Sequence, residues 1–413
     1  MKLHIVGGGW AGLAAAVAAT QRGWPVRLYE AARTLGGRAR SVTHDHQVFD
    51  NGQHVLIGAY RDTLALLRTV GVNPAQAFQR RPLDMRFVDG RGLRLPDLPP
   101  PWNALWGIAT ARGWSAADKW ALARTALRWQ RQQFRCAPDL TVRALCAALP
   151  ERVMQDMIEP LCVSALNTGT EEASAEVFLR VLQDGMFSGR GSSDILLPRV
   201  PLGALLPQAS QRWLQAQGAE LQLGLRINDL PSMLRDHPMD AWLLACDPSE
   251  AARLSAPLNT AWSERTARLR FTAITTVCLR CDDPVRTEGD TALRALRSDA
   301  EHPAQFVAQR NGVWSFVISN SQGTRDTLVA QVMAQARRDL GLQQLQLLYC
   351  ATEKRATFAC TPQLQRPSPQ VAERVWACGD YLAGPYPATL EGAVRSGLQV
   401  VEQIAQAGEG QRL

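Results

Sequence analysis

The stretch KLHIVGGGWAGLAAAVAATQRGWPVRLYE, residues 2–30, decides the fold. KLHIV reads as a short buried strand. Gly7, Gly9 and Gly12 then supply the spacing G-x-G-x-x-G, with Trp10 and Ala11 between the last two. LAAAVAATQRG follows as an alanine-rich helix ended by Gly23, and PVRLYE as a second strand closing on Glu30. A strand, a glycine turn, a helix and a strand make the start of a dinucleotide-binding unit. Gly7 permits the tight turn. Gly9 lets a pyrophosphate lie against the backbone. Gly12 lets helix and strand pack closely. The free N–H groups where the helix opens, at Trp10 and Ala11, attract phosphate. Glu30 stands 18 residues after Gly12, in reach of ribose hydroxyls.

Working outward, EAARTLGGRARS (30–41) sets Gly37 and Arg38 just past the second strand. The planar fork of an arginine after paired glycines can reach back to a pyrophosphate. FDNGQHVLIGAY (49–60) gathers Asp50, Gly52, Gln53 and His54. Near the other end, VWACGDYLAGPYPATLEGAVRSG (375–397) runs from a strand through Gly379-Asp380 and a proline loop into a helix that opens near Leu390. AWLLACDP (241–248) reads as a further buried strand, and 197–230 as a turn, a helix and a hairpin.

Together with PLCVSALNT (160–168), these stretches resemble the squalene-associated FAD-dependent desaturase family, within the amine oxidase and carotenoid desaturase superfamily. The resemblance spans nearly the whole chain. It implies a Rossmann-type α/β FAD-binding domain with an inserted α+β substrate domain, the amine-oxidase-like arrangement. The cofactor domain is expected at 1–85, 190–248 and 345–413, and the substrate domain at 86–189 and 249–344. FAD would be held by Gly7, Gly9, Trp10, Ala11, Gly12, Glu30, Gly37, Arg38, Gly52, Gln53, Ile227 (through its backbone, at the adenine), Gly379, Asp380 and Leu390. The helix opening near Thr389 would aim N–H groups at the flavin edge.

The activity implied is reductive loss of the hydroxyl from hydroxysqualene, an allylic C30 alcohol, giving squalene on the way to hopanoids. Such chemistry needs an apolar pocket for a long isoprenoid and a group to protonate the departing hydroxyl. His54 is the first candidate and Asp50 the second. Each also reads as a structural residue: His54 as a satisfied core histidine, Asp50 and Gln53 as loop caps. Asn167 and Asp184 are weaker candidates. Only one dinucleotide fingerprint is present, so electrons are expected from a separate donor. A carotenoid or phytoene-type desaturase, running the flavin oxidatively, stays open, as does a non-catalytic isoprenoid carrier. An amine oxidase is disfavoured: the paired aromatics such enzymes set before the flavin are absent, and Tyr381 and Tyr386 substitute poorly.

Bulk composition fits a two-domain globular enzyme: 413 residues, 46% hydrophobic, 20% charged. The net charge of +7 is spread along the chain, without a basic block or a nucleic-acid motif, and no nucleic acid is expected. Nine scattered cysteines read as reduced thiols in a cytoplasmic protein. Cys278–Cys281 is a lone CxxC that fits core positions on a strand, and His44-Asp45-His46 fits a polar turn; no metal is expected. The apolar run 3–20 could pass for a leader, but its glycines fit the strand–turn–helix better. Segment 99–135 holds Trp102, Trp106, Trp114, Trp120 and Trp129 interleaved with arginines. Lining of the core or pocket is the favoured reading. Peripheral contact with the inner face of the membrane is the second.

Overall fold

The structure, a computed structural model, describes residues 1–281 and 292–410. Residues 282–291 and 411–413, assigned above to the substrate and cofactor domains, lie outside the described residues.

The central sheet has six strands. In spatial order they are Gln370–Ala372, Val375–Ala377, Ala241–Leu244, Leu3–Val6, Val26–Glu30 and Glu220–Leu223. All pair in parallel except the first, which runs antiparallel to its neighbour. Leu3–Val6 therefore sits between a partner 23 residues away, Leu3 facing Val26, and one 238 residues away, Leu3 facing Ala241. Covered on both faces, its strand reads as a continuous apolar run rather than an alternating one. The expected hairpin near 220 does not form. Glu220–Leu223 is instead a single edge strand, and the chain beyond it keeps bonding along Val26–Glu30, with Gly224 N donating to Ala32 O and Leu225 N to Glu30 O.

The helix Trp10–Gln21 follows the glycine turn and is buried along most of its length. Its small side chains admit the closing helix, Leu390–Gly410, at close range. A Cβ on Gly397 would lie 2.3 Å from Ala11 O and 3.0 Å from Ala15 N. The two helices meet backbone to backbone, so the start and end of the chain form one layer. Glu391, in the first turn of the closing helix, adds a polar lock. Its buried carboxylate accepts the Asp62 and Thr63 N–H groups at 3.1 and 3.0 Å and the Thr63 hydroxyl at 2.7 Å. It thereby caps the helix Arg61–Thr69.

A second sheet, antiparallel, orders Ala292–Ala295, Phe306–Arg310, Val313–Ser319, Phe271–Cys281 and Leu345–Phe358. The helix Arg325–Leu340 shares its core with Val277, Phe316 and Ile318. The strand from Leu345 is an edge of this sheet, although the boundary expected at 345 would give it to the cofactor domain; its 14 residues pair with Phe271–Cys281. Helices between Trp102 and Phe187 form the other insert. Asp156, buried there, accepts Trp114 Nε1 and Arg297 Nη1, each at 2.9 Å, and so ties insert to sheet.

Local readings hold at several points. Residues 3–20 are strand, turn and helix. Asp45 and His46, both with positive φ, turn the hairpin Ser41–His44/Gln47–Asp50. Cys278 and Cys281 are buried on Phe271–Cys281, and all nine cysteines are free. The tryptophans divide: Trp114 and Trp129 enter the core, whereas Trp102, Trp106 and Trp120 are exposed, so the core reading covers only part of the segment.

Two stability predictions follow from the packing. Gly397→Ala places a methyl against backbone that no rotamer change can clear. It should cost about 1–3 kcal/mol, read as a lower melting temperature by calorimetry, and unchanged melting would refute the close approach. His4 is fully buried, stacked on Trp242 and bonded to Tyr29 Oη and Asp240. Burial outweighs the pull of Asp240 and lowers its pKa below the ordinary 6.5. The unfolded chain thus takes up a proton there that the folded chain refuses, and stability falls as pH drops below about 6.5. Melting temperature measured from pH 8 to 5 should decline in the acid half, with a shallower decline in His4→Gln.

Candidate functional site

The glycine turn is shaped by collision. A Cβ on Gly7 would fall 2.5 Å from Ala245 O, and one on Gly12 only 2.0 Å from Gly7 O. Gly7 also has φ +115°, where glycine is at ease. The helix opening at Trp10 has Gly9 as its N-cap, no side-chain cap, and no acidic residue in its first turn. The N–H groups of Trp10, Ala11 and Gly12 are therefore left for an anion.

Gly36 and Gly37 lie directly over this turn. Gly36 N donates to Gly8 O at 2.8 Å, and a Cβ on Gly37 would stand 3.1 Å from Gly9 Cα. The Glu30 carboxylate accepts Gly8 N and Ala32 N at 2.7 Å each, which fixes it at the end of its strand. Arg38 reaches away from the glycines. Its Nη2 meets Asp380 Oδ1 at 2.6 Å and its Nη1 donates to Ala356 O at 2.7 Å. Burial opposes the guanidinium charge, but the Asp380 carboxylate more than compensates and raises its pKa. One partly buried ion pair thus joins segments 342 residues apart.

At the far end, Gly379 N donates to Ser396 Oγ at 2.8 Å, and Ala388 N to Asp380 O at 3.1 Å. A Cβ on Gly379 would lie 2.5 Å from the Tyr381 ring. The helix begins at Leu390, as expected, but Thr389 Oγ1 already accepts Gly392 N at 2.9 Å. The N–H of Gly392 is therefore already paired within the chain. Ile227 is buried and its carbonyl is taken by Arg253 Nη2 at 2.9 Å, which leaves its N–H for an adenine.

The loop after Phe49 wraps against Arg38: Asn51 Nδ2 donates to Arg38 O at 3.0 Å. Sequence reasoning passed over Asn51. Gly52 takes φ +92° and Gln53 is half-buried beside it. His54 Nδ1 lies 3.2 Å from Gly52 O. A carbonyl can only accept, so Nδ1 carries the proton and Nε2 is the reactive nitrogen. Burial lowers the His54 pKa, with the nearby Asp50 charge pulling the other way.

Asp50 is a correction. Its Oδ1 accepts Leu202 N and Ser41 Oγ at 2.8 Å, and Oδ2 meets Arg310 Nη2 at 3.1 Å. With Ser41 Oγ accepting Gly203 N at 2.8 Å, it caps the helix Leu202–Ala216. Both oxygens are engaged in structural contacts, which favours the loop-cap reading of Asp50 over proton transfer. Asn167 is likewise a clamp. It holds Thr272 Oγ1, Thr357 Oγ1 and Asn320 N at 2.6 to 3.0 Å, from a left-handed C-cap with φ +48°. Asp184 pairs with Arg180.

A cleft of about 880 Å³ opens beside the closing loop, between Phe134, Arg180, Phe358, Cys360, Arg366 and Pro387. Its walls mix charged and apolar groups. Among the described residues, His4, His237 and Asp240 have ligand atoms within 4.8 Å of one another. That trio sits at the start of strand Leu3–Val6, not at the glycine turn, and His4 Nε2 is already bonded to Asp240 at 3.0 Å.

A glycine cradle under a helix N-terminus, an acid at the next strand end and a second glycine segment closing from the far terminus define a flavin oxidoreductase. The sequence pattern of the flavin containing amine oxidoreductase family matches residues 10–405, and the chain belongs to that family. It is 28% identical to hydroxysqualene dehydroxylase of Sinorhizobium fredii, over 96% of both chains. To hydroxysqualene dehydroxylase of Rhodopseudomonas palustris it is 26% identical, over 98% of this chain and 99% of that one. Zeta-carotene desaturase of Synechocystis sp. is 25% identical over 71% of this chain and 68% of its own. Among solved structures, cyclohexylamine oxidase from Brevibacterium oxydans superposes with a TM-score of 0.68 at 15% identity, covering 99% of both chains. An oxidoreductase from Methanosarcina mazei gives 0.71 at 13%, covering 97% of this chain and all of that one.

FAD is the cofactor, and the residues present fit it. The cradle admits no Cβ at Gly7 or Gly12. The Tyr381 hydroxyl, 1% exposed and next to Asp380, has no protein hydrogen-bond partner among the described residues, as expected where a polar ligand completes the site. Arg38→Met should strand Asp380 as a buried unpaired charge and loosen the docking of the C-terminal segment. The purified variant should hold at least about tenfold less flavin, measured from the 450 nm to 280 nm absorbance ratio, while Arg38→Lys retains part of it. Full flavin content in Arg38→Met would refute the assignment.

Proposed function

We propose that this chain removes the hydroxyl of hydroxysqualene reductively, giving squalene. The observation that carries the reading is near-full-length similarity to three relatives named hydroxysqualene dehydroxylase, whereas the zeta-carotene and phytoene desaturase relatives align over 55 to 73% of this chain. Reduced FAD, when bound, supplies a hydride. The chain must do the rest: hold a long apolar substrate, exclude competing water, and deliver one proton to the hydroxyl as the allylic C–O bond breaks. The alcohol, a proton and a hydride balance to hydrocarbon and water.

His54 is the proton donor in this reading. Gly52 O holds Nδ1, so the imidazolium presents its second proton at Nε2. A pKa lowered by burial makes that imidazolium a stronger acid but a scarcer one at neutral pH. Electrons come from a separate donor, since one dinucleotide fingerprint serves one cofactor.

The test is anaerobic. Flavin in the purified protein is reduced with dithionite and hydroxysqualene is added. Reoxidation with a stoichiometric yield of squalene is expected. A reduced flavin that ignores the alcohol, while the oxidised form is bleached by phytoene-like polyenes, would favour the desaturase instead. Protein that cannot be loaded with flavin would favour an isoprenoid carrier. Single-turnover rates should rise as pH falls from 8 to 6. His54→Ala should lose about 10²–10⁴-fold in rate together with that pH dependence, and a variant keeping both would remove His54 from the reaction.

A further inference from the structure

We infer that the face built from Leu98–Ala109 and the neighbouring helix Ala116–Arg131 docks on the surface of an anionic lipid bilayer. The inference stands on surface composition and is independent of the reaction proposed above. Among the described residues, six of the twelve exposed large hydrophobics fall between Leu98 and Leu127. Trp102, Trp106 and Trp120 are 63, 59 and 70% exposed. Exposure on this scale is unusual for tryptophan, and clustering makes it more so.

The helix Trp102–Thr110 shows how the segment is divided. Asn103, Gly107 and Ile108 are buried, and a Cβ on Gly107 would stand 2.7 Å from Leu95 Cδ2, so the inner face is firmly seated. Trp102, Leu105, Trp106 and Ala109 recur at the helical spacing on the exposed side. With Leu98 and Pro99 they surround a shallow hollow of about 610 Å³ with almost no polar wall. The next helix is joined to this one by Lys119 Nζ donating to Ala109 O at 2.8 Å, immediately before Trp120.

Charge names the occupant. Residues 98–135 hold six basic side chains and one acidic. The acidic one, Asp118, is spent on the Ser115 capping box. Arg112, Arg124, Arg128, Arg131 and Arg135 are exposed, and none has a carboxylate partner among the described residues. Tryptophan and leucine beside unpaired arginine match the boundary between acyl chains and anionic headgroups. No helix among the described residues is long and apolar enough to cross a membrane, so the contact is one of surface insertion.

The flavin-loaded full chain is spun with vesicles of phosphatidylglycerol and phosphatidylethanolamine, and separately of phosphatidylcholine. Partition onto the anionic vesicles should exceed that onto phosphatidylcholine by about tenfold or more and weaken with added salt. The triple variant W102S/W106S/W120S and the double variant R124E/R128E should each lower partition by about tenfold or more. Both should keep the visible spectrum and melting temperature of the parent, since the altered residues are exposed. The inference fails if the parent stays in the supernatant with both vesicle types, or if both variants partition as the parent does. It also fails if light scattering finds a dimer that the tryptophan variant dissolves, since the face then belongs to a second copy of the chain.

Discussion

At the turn after the first strand the backbone closes on itself with no room for side chains, and the central sheet is arranged around that turn. Gly12 passes so near Gly7 O that a methyl would sit 2.0 Å away, and Gly7 in turn lies under Ala245 O. Three stretches of backbone share the space usually given to side chains. Ala241–Leu244 can then pair directly beside Leu3–Val6, and the chain's last fifth can add Val375–Ala377 beyond it. The same missing side chains leave the first helix opening bare toward any phosphate. Fold and cofactor site therefore rest on one steric condition.

Electrostatics completes what sterics begins. Arg38 and Asp380 come from opposite ends of the chain, and the Asp380 carboxylate is nearly fully buried. A pair of this kind adds little net stability, because Asp380 loses its water and Arg38 part of it. Its effect lies in specificity: either partner alone would be an uncompensated charge, so the C-terminal segment docks in one register. Glu391 works in the same way on Arg61–Thr69, and burial raises its pKa against the opposing pull of the Thr63 hydrogen bonds. The two locks fix Gly379-Asp380 and the start of the closing helix relative to the glycine turn.

The sequence was legible wherever the signal was local. The glycine spacing, Glu30 at the strand end, the LGGR stretch and the helix opening at Leu390 depend on neighbours a few residues away. Where the partner is remote, local reading lost it. Asp50, two residues before Gly52, looks like a reactive carboxylate until the N-terminus of Leu202–Ala216 arrives 152 residues later. Asn167 looks equally available until three elements close on it. Glu220–Leu223 was read with its sequence neighbour as a hairpin, yet the open edge of Val26–Glu30 offered a longer ladder. The tryptophans of 99–135 share one composition, yet Trp114, between the two helices, and Trp129 join the core with Leu93 and Leu95, whereas Trp102, Trp106 and Trp120 are exposed.

The same commitments narrow the chemistry. Glu30 holds two backbone N–H groups, Asp50 caps a helix and meets Arg310, Asp184 meets Arg180, Asp380 meets Arg38, and Glu391 caps another helix. Each of these carboxylates is engaged in contacts that hold elements together. His54 differs. One nitrogen is anchored to Gly52 O, while Nε2 has no protein partner among the described residues. A group that is oriented at one end and uncommitted at the other can exchange a proton without loosening the fold. The segment that wraps Arg38 thus carries a nitrogen that no protein contact claims among the described residues.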